Sequence, residues 1–97
     1  MAVAIANIYT VGTTVIDLVD FQAIPGNSQV TLSWDTASEI DNAGFNIYRS
    51  ESKDGEYTQI NDSLITAEGS STQGASYKIV DNDVHNRKTY FCKLEEK

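Results

Sequence analysis

Over residues 29–35 apolar and polar side chains alternate one for one: Val30, Leu32 and Trp34 share one parity, Thr31, Ser33 and Asp35 the other. Successive side chains of a strand project to opposite faces, so this pattern predicts a strand with one face in a core and one in water. Residues 44–49 repeat it with Phe45 and Ile47 inward. Tyr77 and Ile79 alternate with Ser76 and Lys78, and Tyr90, Cys92 and Leu94 alternate with Thr89, Phe91, Lys93 and Glu95. Residues 15–23 are rich in β-branched and aromatic side chains, but their alternation slips near Asp20, where a bulge would restore the register. A weaker strand is predicted around residues 57–60, and helical periodicity is hard to find anywhere.

Turn-forming residues separate these runs at short, regular intervals. Ile24-Pro25-Gly26-Asn27-Ser28 closes the first strand, Pro25 fixing its own φ and Gly26 permitting a positive one. Asp41-Asn42-Ala43-Gly44 precedes the third, Lys53-Asp54-Gly55-Glu56 is a tight connection, residues 68–74 form a polar loop, and Asp81-Asn82-Asp83 opens the last connection. Six or seven short strands joined this way predict an all-β antiparallel sandwich.

Composition narrows the picture. A chain of 97 residues has room for one domain, and 40% hydrophobic with 22% charged residues is globular rather than disordered composition. The formal net charge of −7, with no cluster of Lys and Arg, argues against nucleic acid as a partner and against an anionic membrane surface. The apolar runs fall far short of the ~20 residues a membrane helix needs. A single cysteine, Cys92, means that no internal disulfide staples the fold, so the core must hold it alone.

With the strands placed, a family resemblance emerges. Leu32-Ser33-Trp34 resembles the buried-tryptophan strand of fibronectin type III domains, and Gly44-Phe45-Asn46-Ile47-Tyr48-Arg49 is similar to their third strand. Tyr77-Lys78-Ile79-Val80-Asp81, then Val84 and Thr89-Tyr90-Phe91-Cys92-Lys93-Leu94, resembles their E strand, EF turn and F strand, with Tyr90 on the tyrosine corner. Residues 35–50 are similar to fibronectin III-like modules of bacterial secreted and surface proteins. The resemblance spans about residues 15–95 and implies an immunoglobulin-like sandwich, with Trp34 and Tyr90 as its structural hallmarks. It further implies an extracellular or cell-surface location. The expected task is that of a non-catalytic spacer or interaction module, whose partners are neighbouring domains of a larger chain or another protein.

Residues 1–14 lie outside the matching region, as an N-terminal extension to the sandwich of residues 15–97. The family's seventh strand, G, follows F, whereas this sequence reaches Lys97 where the FG turn would begin. Two expectations follow. Either residues 2–11, which alternate loosely, take the G position in their own domain or in a neighbour by swapping, or the G strand is missing and residues 1–12 are disordered. An uncovered F strand would present unpaired backbone groups and invite an edge-strand dimer.

Chemistry-bearing residues are few. His85, the one histidine, falls in the predicted EF loop, where a solvated role fits better than catalysis. Cys92 has core parity and reads as a small hydrophobe rather than a nucleophile. No phosphate loop, zinc spacing or dinucleotide fingerprint is present, and neither an enzymatic activity nor a cofactor is expected. Asp81 and Asp83, with Asp54 or Glu56 from a second loop, offer the oxygen ligands calcium takes, although Asp and Asn are equally favoured as turn formers. Glu39 and Asp41 have the same turn explanation. Asn61-Asp62-Ser63 is a formal glycosylation sequon. The remaining constellation is an outward face carrying Asn46, Tyr48, Phe91 and Lys93: an apolar platform with a hydrogen-bonding rim, suited to a sugar ring or a partner domain, or a cross-strand aromatic pair that simply stabilises the sheet.

Overall fold

The computed structural model describes residues 1–10, 15–40 and 43–97. Eight strands follow in order: β1 (Val3–Thr10), β2 (Val15–Gly26), β3 (Gln29–Ile40), β4 (Gly44–Ser50), β5 (Thr58–Gln59), β6 (Ile65–Thr66), β7 (Ser76–Asp81) and β8 (Thr89–Glu96). They form two sheets. One runs β1-β8-β4-β5, with β6 also paired to β4, and the other runs β2-β3-β7. The chain is all-β, with no helix among the described residues.

The alternation seen in the sequence fixes which faces meet. Val30, Leu32 and Trp34 from β3, Phe45 and Ile47 from β4, Tyr77 from β7, and Tyr90, Cys92 and Leu94 from β8 are all buried between the sheets. Phe21, Ala23 and Ile79 pack against them from β2 and β7. The slip near Asp20 is real, since the β2–β3 register shifts between Asp17 and Leu18 and again between Leu18 and Asp20. Across these shifts Ala37 of β3 and Val19 of β2 each lack a register partner, the irregularity that a bulge makes.

Three differences from the sequence reading have plain causes. Pro25 and Gly26 do not form the first turn: they sit on β2, opposite Val30 and Gln29, and the turn is Asn27-Ser28. Pro25 is tolerated because β2 is an edge strand that can spare a donor. The positive φ falls on Ser28, at 54°, whose N–H donates to Asn86 Oδ1 and so ties this hairpin to the loop before β8. β6, only two residues long, carries no alternation from which it could have been read. Glu39 lies on β3 rather than in a loop, and it is buried. Asp41 lies outside the described residues.

The N-terminal segment is a strand. Every residue of β1 has a partner on β8, from Val3 opposite Thr89 to Thr10 opposite Glu96, and the two strands run parallel. β8 is therefore paired on both sides, to β1 and to β4, and the expected open edge on the F-like strand does not exist. Ala2 is buried and Ala4 packs against the core, while Val3 and Ile5 face outward. Met1 accepts the Arg87 N–H, and Ala2 donates to the Gly26 carbonyl. At the far end of the same sheet, Lys97 exchanges hydrogen bonds with Ala43 and Gly44. The first and last residues thus lie at opposite ends of a body measuring 41 × 22 × 21 Å.

Candidate functional site

The outward face of the five-stranded sheet holds the four residues predicted as a ligand or partner surface, but not as the sequence grouped them. The register sets Tyr48 opposite Lys93 and Ser50 opposite Phe91, so Tyr48 and Phe91 are diagonal neighbours rather than a facing pair. Phe91 instead lies opposite Ile5 of β1, with exposed Val3 one step further along. The Lys93 ammonium sits 4.0 Å from the centre of the Tyr57 ring, a cation–π contact that covers one face of that ring. Tyr57 belongs to the same surface, and its hydroxyl donates to the Lys53 carbonyl. Burial, together with the charge of Asp54, raises its phenol above the ordinary value.

Asn46 is not available to a ligand. Its parity is outward, as predicted, but the chain between β5 and β6 folds over it and leaves it 7% exposed. Asn46 Nδ2 donates to Glu95 Oε1 at 3.2 Å, and its Oδ1 accepts from Asn61 Nδ2 at 2.8 Å. Tyr48 donates its hydroxyl to the same Glu95 oxygen at 2.8 Å, with Lys97 Nζ 3.8 Å away. Asn61 spends its other amide hydrogen on the Ser63 carbonyl and accepts the Ile47 N–H. Both hydrogens of the sequon nitrogen are therefore engaged inside the protein, and the buried Glu95 carboxylate is surrounded by donors, as burial requires. What the sequence offered as a polar rim is a closed network fastening β4, β8 and the β5–β6 connection.

The gap between the sheets is closed at each end by a polar plug. At the Met1 end, Arg49 has the inward parity of Phe45 and Ile47 and reaches across to β7. Its Nη1 lies 2.6 Å from Asp81 Oδ2, its Nη2 3.5 Å from Asp83, and its guanidinium 5.9 Å from the centre of the Tyr90 ring. Burial pulls the Arg49 pKa down, but the hydrogen bond and charge of Asp81, with Asp83 behind it, outweigh that and raise it above its ordinary value. The second Asp81 oxygen accepts the Asp83 N–H, an Asx-type turn. A calcium ion would have to displace a guanidinium here. Asp54 acts on the Tyr57 phenol, and among the described residues no three His, Cys, Asp or Glu side chains gather as metal ligands. Above the plug, Tyr90 accepts the His85 N–H at 2.8 Å and so pins the loop that precedes β8.

At the Lys97 end the plug is Glu39. Its Oε2 accepts hydrogen bonds from Thr36 Oγ1 and from the Tyr77 hydroxyl, both at 2.6 Å, and its own N–H donates to the Ser70 carbonyl. The Tyr77 hydroxyl also accepts the Glu68 N–H, so one tyrosine and one carboxylate hold the loop 68–74 down. Gly74 approaches the Thr36 carbonyl so closely that no Cβ could be accommodated there. Burial and the hydrogen bond to Glu39 push the Tyr77 phenol up to about 12.

Matched against protein-family models, curated proteins and solved structures, the chain finds no counterpart. Its chemistry must be read from its own groups. Cys92 lies in the core with its thiol pushed by burial up to about 11, which leaves it protonated and inert. The His85 side chain is exposed, and only its backbone is engaged in the corner. The strongest polar groups of the molecule, Glu39, Arg49, Asp81 and Glu95, are committed to joining one strand to another. Of these, Arg49 shares the inward parity of Phe45 and Ile47, although the sequence reading placed only those two inward. Glu39 was not legible, because the β3 alternation gives no reason to bury a carboxylate.

Proposed function

We propose that this chain is a non-catalytic, fibronectin type III-like module of a larger extracellular or cell-surface protein, acting as a spacer that sets the distance between neighbouring domains. The observation that carries the reading is polarity. Parallel pairing of β1 with β8 puts Met1 at one end of the 41 Å long axis and Lys97 near the other, as a domain strung in line requires. The family assignment is supported by the sheet orders β2-β3-β7 and β8-β4-β5, by Trp34 at the centre of the core, and by the Tyr90 hydroxyl accepting from backbone five residues upstream. β1 lies outside β8, where the family's seventh strand belongs, but with the direction reversed. The test is small-angle scattering from two copies joined Lys97 to Met1, at low concentration. A spacer gives a maximum dimension close to twice that of one copy; a two-copy protein folded back to the length of one overturns the reading.

A further inference from the structure

An amine, a carboxamide and a carboxylate meet on the outer face of the five-stranded sheet, at its Lys97 end. Asn46 stands opposite Glu95 in the β4–β8 register, and Lys97, two residues beyond Glu95, returns to the same face. Hydrogen bonds with Ala43 and Gly44 hold the Lys97 backbone there. One carboxylate oxygen serves both nitrogens: Glu95 Oε1 accepts from Asn46 Nδ2 at 3.2 Å and lies 3.8 Å from Lys97 Nζ. On the other side of the carboxamide, Asn46 Oδ1 accepts from Asn61 Nδ2 at 2.8 Å. Asn61 is itself fixed, since it accepts the Ile47 N–H and donates to the Ser63 carbonyl. The Tyr48 hydroxyl, 2.8 Å from Glu95 Oε1, holds the carboxylate in place. Asn46 and Glu95 are buried, whereas the Lys97 side chain is half exposed and can swing. As a salt bridge so open a pair contributes little. As a reacting group it has every neighbour that amide exchange needs: a carbonyl carbon, a donor on its oxygen, and a proton carrier touching both the incoming and the leaving nitrogen.

We propose that Lys97 and Asn46 are the site of a self-formed isopeptide bond that ties β8 to β4. Glu95 takes a proton from the Lys97 ammonium, and the neutral Nζ attacks Asn46 Cγ. The negative charge that develops on Oδ1 is stabilised by the Asn61 Nδ2–H. Glu95 returns its proton to Nδ2, the Cγ–Nδ2 bond breaks, and ammonia leaves. The second Nζ proton follows through the same carboxylate and departs with the ammonia as ammonium. One C–N bond forms and one breaks, nothing is oxidised or reduced, and no other reactant is consumed. An amine and an amide exchange very slowly in solution; holding both on one face makes the step unimolecular.

Intact mass spectrometry tests this. The folded chain, kept at mildly alkaline pH to favour the neutral amine, is expected to lose the mass of one ammonia, about 17 Da. Tryptic digestion should then yield a branched peptide joining residues 1–49 to residues 94–97. Lys97→Arg, a change at an exposed side chain, keeps the charge and should hold its full mass. Lys93→Arg, which alters the next lysine on the same face, should react as the wild type does. Glu95→Gln should slow the loss by about a hundredfold or more. Far-UV circular dichroism establishes that each variant is folded, and the wild type kept in urea should hold its full mass. A folded wild type that retains its full mass overturns the proposal, with no variant needed. Ammonia loss that persists in Lys97→Arg or in urea overturns it too, being cyclisation at an asparagine. So do a Glu95→Gln chain that reacts at the wild-type rate and a branch that joins any other pair of residues.

Discussion

Two regions of this small sandwich are held by different physics. Around Trp34 the core is an aromatic nest: Trp34 stacks on Tyr77 at 5.2 Å, and Phe45 meets both edge-on, at 5.5 and 4.9 Å. Each ring is fixed by the other two and by the hydrogen bond that anchors Tyr77 to Glu39. At the start of β1 the described inward side chains are Ala2 and Ala4, and the backbone ladder to β8 and the bonds made by Met1 and Ala2 join this segment to the rest. The nest supplies volume and specificity. The β1 margin supplies continuity of the sheet, and its outward Val3 and Ile5 are half exposed, so substitutions at these outward positions and in the nest should differ sharply in cost.

The largest contrast should come from Phe45→Ala, which empties the middle of the nest and should cost about 3–5 kcal/mol in urea denaturation. A loss under about 1 kcal/mol would mean that the rings are not mutually fixed. Next is Tyr77→Phe, which withdraws a donor from buried Glu39 and should cost about 1–3 kcal/mol. It should also change the alkaline profile. Tyr77 is raised from 10.0 to about 12 in the folded chain, so its contribution to stability is complete below pH 10 and is lost as pH climbs to about 12. Cys92, raised from 9.0 to about 11, behaves in the same sense one unit lower. Denaturation at stepped pH should therefore show stability falling from pH 9 to 12, with Cys92→Ala flattening the lower part of that fall and Tyr77→Phe the upper. The smallest effect should be Ile5→Thr at the margin, within about 0.5 kcal/mol by the same measurement. A loss there approaching that of Tyr77→Phe would show that outward side chains, as well as backbone, hold β1 in place.

Period-two alternation made the faces of β3, β4, β7 and β8 legible, because a side chain every second position on one side is a local property of the chain. The β2 bulge could be read for the same reason, as a break in that parity at Asp20. What local pattern cannot carry is the approach of distant segments. Asn46 has the parity of an exposed residue and is covered by the β5–β6 connection, which reaches it through Asn61. Glu39 is a carboxylate at the end of an amphipathic strand, and its burial goes with the arrival of Tyr77 from 38 positions away and of the loop at Ser70. The direction of β1 was equally invisible, since parallel and antiparallel pairing bury the same alternate residues. The bond from the His85 N–H to the Tyr90 hydroxyl lies between these cases: it is local in sequence, yet a role for Tyr90 there was expected only through the family resemblance.

The parallel register of β1 and β8 also determines how the domain responds to tension. A pull applied at Met1 and Lys97 draws two adjacent strands in opposite directions along their common axis. The ladder from Val3–Thr89 to Thr10–Glu96 is then loaded in shear, all its hydrogen bonds sharing the strain at once. An antiparallel last strand joined to β8 by a hairpin would instead leave its free end beside the start of β8. Reversing one strand makes the seam between the chain's two ends the element that resists stretching.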